Sequence, residues 1–259
     1  MNLLLSGIGG LLADYLSKPR RQGSLIATLA PELLAATLRP GDVLLIEGNT
    51  RISVAIKYLT QSTWSHAALF VGDGPVPATP GKVLVEADIR EGVRAVPLSE
   101  YAKMHTRICR PVGLSPGDLQ ELIAFAVSRI GHRYDLKHVF DLVRYLVPTP
   151  PVPVSWRRRM LAFGSGDPSR AICSTLIAQA FQSVRYPILP DVTLEKSDDP
   201  ACNDCYREVL HIRHYGLFTP RDFDISPYFE VVKPLLLHDF DHRKVVWADD
   251  APAPRPQAA

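Results

Sequence analysis

Several things are scarce in this 259-residue chain. It has four cysteines, at 109, 173, 202 and 205, too few and too scattered for a disulfide framework in a chain this long. A reducing, cytoplasmic compartment is the default expectation. Net charge is +2, and no nucleic-acid-reading motif is present, so nucleic acid is not an expected partner. The longest apolar stretch, MNLLLSGIGGLLADYL at the start, is too short to span a bilayer. It has no basic residues ahead of it, unlike a secretory leader, and Asp14 interrupts it. Lys18, Arg20 and Arg21 follow, so residues 1–24 read as a frayed amphipathic segment, with peripheral contact at the inner membrane as the sharper alternative. No internal repeat is visible.

Proline, in contrast, is abundant, at 23 residues. It clusters in PTPPVPV (148–154) and in the tail APAPRPQAA. The first cluster reads as an extended loop, since proline continues neither a helix nor a central strand. The tail, 246–259, reads as disordered. Hydrophobic residues at 46% and charged residues at 22% are ordinary globular usage. Residues 25–245 are expected to form one domain, with a C-terminal extension from about 186.

Periodicity predicts helices over 25–38, 50–60, 116–130, 135–146 and 172–184, with a short basic one at 156–162. Thr50 is a candidate N-cap, Pro116 a helix start and Gly131 a stop. Strands are predicted over 43–48, 66–74, 82–89 and 93–98, with Pro97 best placed near an edge or end, and near VLHIR and YFEVVK. Such a pattern indicates an α+β fold with a small antiparallel sheet, not an alternating parallel one.

Cys173 opens the 172–184 helix after the polar loop GSGDPSR. Unpaired N–H groups and the dipole at a helix start favour a thiolate, and Arg170 acts in the same direction. The same N–H groups could serve an oxyanion. A buried structural cysteine is the ordinary alternative. His66 opens a strand in WSHAALFVGDG, at the rim of the sheet, where a side chain can reach a cleft or stand idle. Glu86 interrupts KVLVEADI, placed so that a carboxylate could accept the Nδ1–H of His66. Asp88, on the same strand face, and Glu47 are alternative acceptors.

The blocks GDVLLIEG, STWSHAALFVGDG, VLVEADIREGV, IGHRYD and RAICSTLIAQAF, in this order, resemble the circularly permuted papain-like hydrolases of the YiiX/YebB type. These are relatives of the NlpC-type peptidases and the lecithin–retinol acyltransferase group. The resemblance spans roughly residues 38–185. It implies a permuted papain-like fold in which the histidine strand precedes the cysteine helix, with Cys173 as nucleophile, His66 as base and Glu86 as the orienting residue. The implied activity is a cysteine-dependent hydrolase or acyltransferase acting on an amide, ester or thioester through an acyl-enzyme, with no cofactor. Tyr134, matching a Tyr-Asp pair of the family, and Trp64 and Ser65 beside the histidine are the candidate substrate contacts. The ordinary alternative for Tyr134 is a buried anchor, with Asp135 as N-cap.

The expected partner is a small-molecule, lipid or peptide acyl substrate. A lipid-linked one is favoured because the loop 146–166 joins apolar residues, Trp156 and three arginines. A different class of function is a non-catalytic lipid- or acyl-binding module on the same scaffold. A third rests on Cys202, Cys205, His211 and His214, which pair two cysteines two apart with two histidines. Their overall spacing is much shorter than in finger-type zinc sites, so a metal is not expected there.

Overall fold

The structure is a computed structural model. It describes residues 18, 29–74, 76–77, 79–89, 91–132, 172–196, 206–234 and 242–244. Tyr134, Arg170, Cys202, Cys205 and the helices expected over 135–146 and 156–162 lie outside them, as do the proline-rich loop and the tail.

A six-stranded sheet organises the described residues. In chain order its strands are β1 (Val43–Ile46), β2 (His66–Asp73), β3 (Lys82–Asp88), β4 (Gly92–Pro97), β5 (Thr106–Pro111) and, much later, β8 (Phe229–Val232). Their spatial order is β4-β3-β2-β1-β5-β8, and every neighbouring pair is antiparallel. Strands β6 (Asp191–Lys196) and β7 (Tyr206–His211) form a separate two-stranded ribbon. The helices are α1 (Pro31–Thr37), α2 (Arg51–Thr60), α3 (Pro116–Ser128), α4 (Ile172–Ser183) and α5 (Pro220–Ile225). This is the expected α+β architecture.

Both faces of the sheet are covered, which explains why β2 is almost continuously apolar. On one face Val43, Leu45, Leu69 and Val85 pack against Leu122 of α3 and Leu176 and Ile177 of α4. On the other, Leu44, Phe70, Leu84 and Ile108 pack against Leu34 of α1, Leu98 and Tyr101.

Helix α1 is shorter than its periodicity suggests. Ala30 is extended and Pro31 is the first helical residue. A residue before proline is driven away from the helical region, while proline itself suits a helix start. Helices α2 and α3 follow their caps. Thr50 Oγ1 accepts the Ser53 N–H at 3.2 Å, and Ser115 Oγ accepts the Asp118 N–H at 3.1 Å. Pro97 ends β4, an edge strand, where its missing donor costs nothing.

Strand β5 is absent from the sequence expectations because Arg107 and Arg110 break its apolar run. Each arginine finds an acid far along the chain. Arg107 Nη1 donates to Asp224 Oδ1 at 2.6 Å, and Arg110 reaches Asp42 at 2.9 and 2.7 Å. The C-terminal residues are likewise integral to the core. Phe229 of β8 packs edge-on against Phe181 at 5.1 Å and Phe223 at 5.6 Å, tying α4 and α5 to the sheet.

Candidate active site

His66 is held at the first residue of β2 by backbone ties that precede it. Ile46 pairs with His66 across β1–β2, and the Ser65 N–H donates to the Ile46 carbonyl at 3.1 Å. The Gly48 N–H donates to Ser65 Oγ at 2.8 Å. A Cβ on Gly48 would lie 2.3 Å from Ser53 Oγ and 2.9 Å from Ser65 Oγ, so only glycine admits this approach. Trp64, one residue earlier, is 2% exposed. Its Nε1–H donates to Asp224 Oδ2 at 2.9 Å, and the Arg107 guanidinium lies 4.9 Å above its ring. Trp64 and Ser65, expected at the substrate, are thus buried, with their polar groups engaged inside the protein.

The His66 ring meets the expected carboxylate. Nε2 lies 2.8 Å from Glu86 Oε2. The nitrogen differs from the one anticipated: Glu86 takes Nε2, which leaves Nδ1 for a second partner. The other acceptors considered are placed elsewhere. Asp88 Oδ1 accepts the Glu91 N–H at 3.0 Å, and Glu47 pairs with Lys57 and with His105 Nδ1, both at 2.9 Å.

Glu86 is 1% exposed, yet it is saturated with donors. Its Oε2 also accepts from the Tyr101 hydroxyl. Oε1 accepts from Arg94 Nε at 2.9 Å and pairs with Nη2 at 2.8 Å. Arg94 stands directly opposite Glu86 in the β3–β4 register. Burial by itself would raise the carboxyl pKa, but the His66 charge and hydrogen bond, Tyr101 and Arg94 outweigh it and hold the group at about 2. Burial and the adjacent Glu86 anion push the Tyr101 phenol well above its ordinary value. Arg94 and Tyr101 were not singled out in the sequence. Arg94 lies on the strand predicted after the one that carries Glu86, but the predicted 82–89 and 93–98 bounds did not give the register that sets it opposite Glu86. Tyr101 carried no signal.

Cys173 is the second residue of α4 and is 4% exposed. The His66 ring and the Ala67 backbone N–H act on its sulfur as hydrogen-bonding partners that favour the thiolate. Ser174 Oγ is 3.9 Å away. Burial opposes the thiolate, but the His66 charge and these hydrogen bonds outweigh it and hold the thiol below its ordinary range. Reciprocally, burial disfavours the imidazolium, and the Cys173 and Glu86 anions overcome that and hold His66 well above its ordinary value. A thiol, an imidazole and a carboxylate therefore meet at one end of the sheet, with a helix start behind the sulfur.

The C-terminal histidines stand apart from this cluster. His211 Nε2 is 2.8 Å from Thr193 Oγ1, and His214 Nδ1 accepts the Gly216 N–H at 3.1 Å. Among the described residues no group of three or more His, Cys, Asp or Glu is placed to hold a metal ion. No helix of the described residues is long and apolar enough to cross a membrane.

Residues 37–145 match the family described as permuted papain-like amidase enzyme, YaeF/YiiX, C92 family. The matched span includes His66 and Glu86 and stops before Cys173. The chain is 24% identical over 187 residues to the probable lipoprotein peptidase YaeF of Escherichia coli (strain K12), covering 66% of this chain and 65% of that protein. It thus spans about 65% of the length of that curated relative. A solved structure, metalloprotein yiiX from Escherichia coli O157:H7, is 17% identical with a TM-score of 0.45, over 75% of this chain and 96% of that one. Over residues 37–145, which carry His66 and Glu86, the chain is thus similar to the YaeF/YiiX family of permuted papain-like amidases.

Proposed function

We propose that this chain is a cysteine-dependent hydrolase of amide bonds, with Cys173 as nucleophile, His66 as general base and acid, and Glu86 as the residue that orients His66. One observation carries the reading: a buried thiol at a helix start is favoured as an anion by a histidine whose Nε2 is held by a buried, ionised carboxylate. The family description as amidase and the peptidase name of YaeF support an amide as the bond attacked.

Chemically, the steps follow from the placement. The Cys173 proton passes to His66 Nδ1, forming a thiolate–imidazolium pair. The thiolate attacks the carbonyl carbon, a C–S bond forms, and the carbonyl π electrons move to oxygen. Free N–H groups at the start of α4 are suited to receive that oxyanion. Collapse breaks the C–N bond, and the departing amine takes the proton from His66. A water then loses a proton to His66 and attacks the thioester. The acid leaves, and the proton returns to the sulfur or stays on the ring. Throughout, Glu86 remains ionised and stabilises the imidazolium without accepting its proton.

The test is acylation. Incubation with a small activated acyl ester, followed by intact and peptide mass spectrometry, should place one acyl group on Cys173. Cys173→Ala should carry none, and a peptide amide matched to the site should be cleaved only by the wild type. Equal labelling of wild type and Cys173→Ala would contradict the proposal.

A further inference from the structure

Glu86 is bound more elaborately than a cross-strand ion pair requires. An Arg94–Glu86 pair across β3–β4 would neutralise the buried charge alone. Instead a third side chain, Tyr101, places its hydroxyl on Oε2, the same oxygen that receives His66 Nε2. The Tyr101 ring is 8% exposed and lies 5.9 Å from the His66 ring, so it also walls one side of the imidazole. Arg94 occupies the other oxygen with two nitrogens, and it is itself held by Glu91 at 3.1 Å and Glu100 at 3.5 Å. The two carboxylate oxygens are therefore divided. One is shared by His66 and Tyr101, and the other is gripped by Arg94.

We propose that Tyr101 and Arg94 are positioning residues for the Cys173–His66 pair: Tyr101 fixes the oxygen on which the imidazole turns, and Arg94 fixes the opposite oxygen and keeps the carboxylate ionised. This rests on the reading of the site given above. The groups facing Glu86 are His66 from β2, Arg94 from β4 and Tyr101 from the turn after β4. Cys173 acts on it through His66, and Asp88, Glu91 and Glu100 act through Arg94.

Removing either donor lets Glu86 take up a proton at higher pH, because burial then has less to oppose it. A protonated Glu86 no longer supports the imidazolium, and the thiolate loses its counter-ion. The thiol pKa should therefore rise, although neither residue touches the sulfur.

The experiment measures the rate of Cys173 alkylation by iodoacetamide against pH, with thermal midpoints alongside. The proteins compared are the wild type, Tyr101→Phe, Arg94→Gln, Arg94→Lys and Glu86→Gln. In Tyr101→Phe and Arg94→Gln the acid limb should move up by about one pH unit, a roughly tenfold slower alkylation on that limb. Both should approach Glu86→Gln, with Arg94→Lys in between, because it keeps the charge but loses the fork. A purely structural role would lower the midpoint and leave the limb in place, and that result overturns the inference. If Arg94→Gln does not fold, Tyr101→Phe, which deletes one oxygen, and Arg94→Lys decide the question. An unactivated wild-type Cys173 would overturn the hydrolase reading and this inference together. An activated wild type with unshifted variants would overturn this inference alone.

Discussion

His66 and Glu86 meet through Nε2, at 2.8 Å, although the last bridged pair of their two strands is Leu69 with Val85. The contact forms where β2 and β3 have stopped exchanging backbone hydrogen bonds. It is held by side chains: Tyr101 on the shared oxygen and Arg94 on the other. With Nε2 committed to the carboxylate, Nδ1 is the nitrogen left to serve the thiol in the proposed mechanism.

Replacing Glu86 with Gln tests that arrangement. The amide keeps the shape but loses the anion, and either tautomer of His66 then becomes acceptable. Amide hydrolysis or acyl-enzyme formation should fall by about 100-fold or more, the scale of positioned acid–base catalysis. Substrate affinity should change far less, so the loss should fall on kcat. A KM-only effect would show that Glu86 does not act through His66.

Acid stability should report the same carboxylate. Glu86 is held at about 2, against 4.5 when unperturbed. A carboxyl whose pKa is lower folded than unfolded contributes stability that is whole above the unfolded value and is lost as pH falls through the folded one. The contribution is on the order of 3 kcal/mol, present at neutral pH and lost between about pH 4.5 and 2. Thermal midpoints of wild type and Glu86→Gln should therefore converge over that interval. A constant gap across it would mean that Glu86 is not stabilised as an anion.

Asp42 offers a control away from the chemistry. It is 1% exposed, binds Arg110 through both oxygens and accepts the Arg39 N–H at 2.8 Å. Asp42→Ala leaves Arg110 without its counter-ion and should cost about 3–5 kcal/mol of stability. Urea unfolding would measure this. At temperatures where the variant is folded, Cys173 should alkylate as in the wild type.

Much of the site was legible because its residues break local patterns. A histidine opening an apolar strand, a carboxylate inside another and a cysteine at a helix start are each visible in sequence, and all three converge. The orientation of the ring was not visible, since which nitrogen meets Glu86 depends on how β2 and β3 splay beyond Leu69 and Val85. Strand β5 was hidden because its arginines are neutralised by Asp224 and Asp42, partners 117 and 68 residues away. Trp64 looked like a substrate contact beside His66, whereas Asp224 draws its indole into the core. Long-range pairing decided each of these, and no local window contains it.

The most direct measurement is the pH dependence of Cys173 alkylation, located by peptide mass spectrometry, in wild type and His66→Ala. Cys109 is the internal reference, because it is buried in β5 and burial pushes its thiol well up. The expected result is selective labelling of Cys173 with an apparent pKa well below the free-thiol value of about 8.5, rising to or above that value in His66→Ala. An ordinary or inert Cys173, indifferent to His66, would contradict the account.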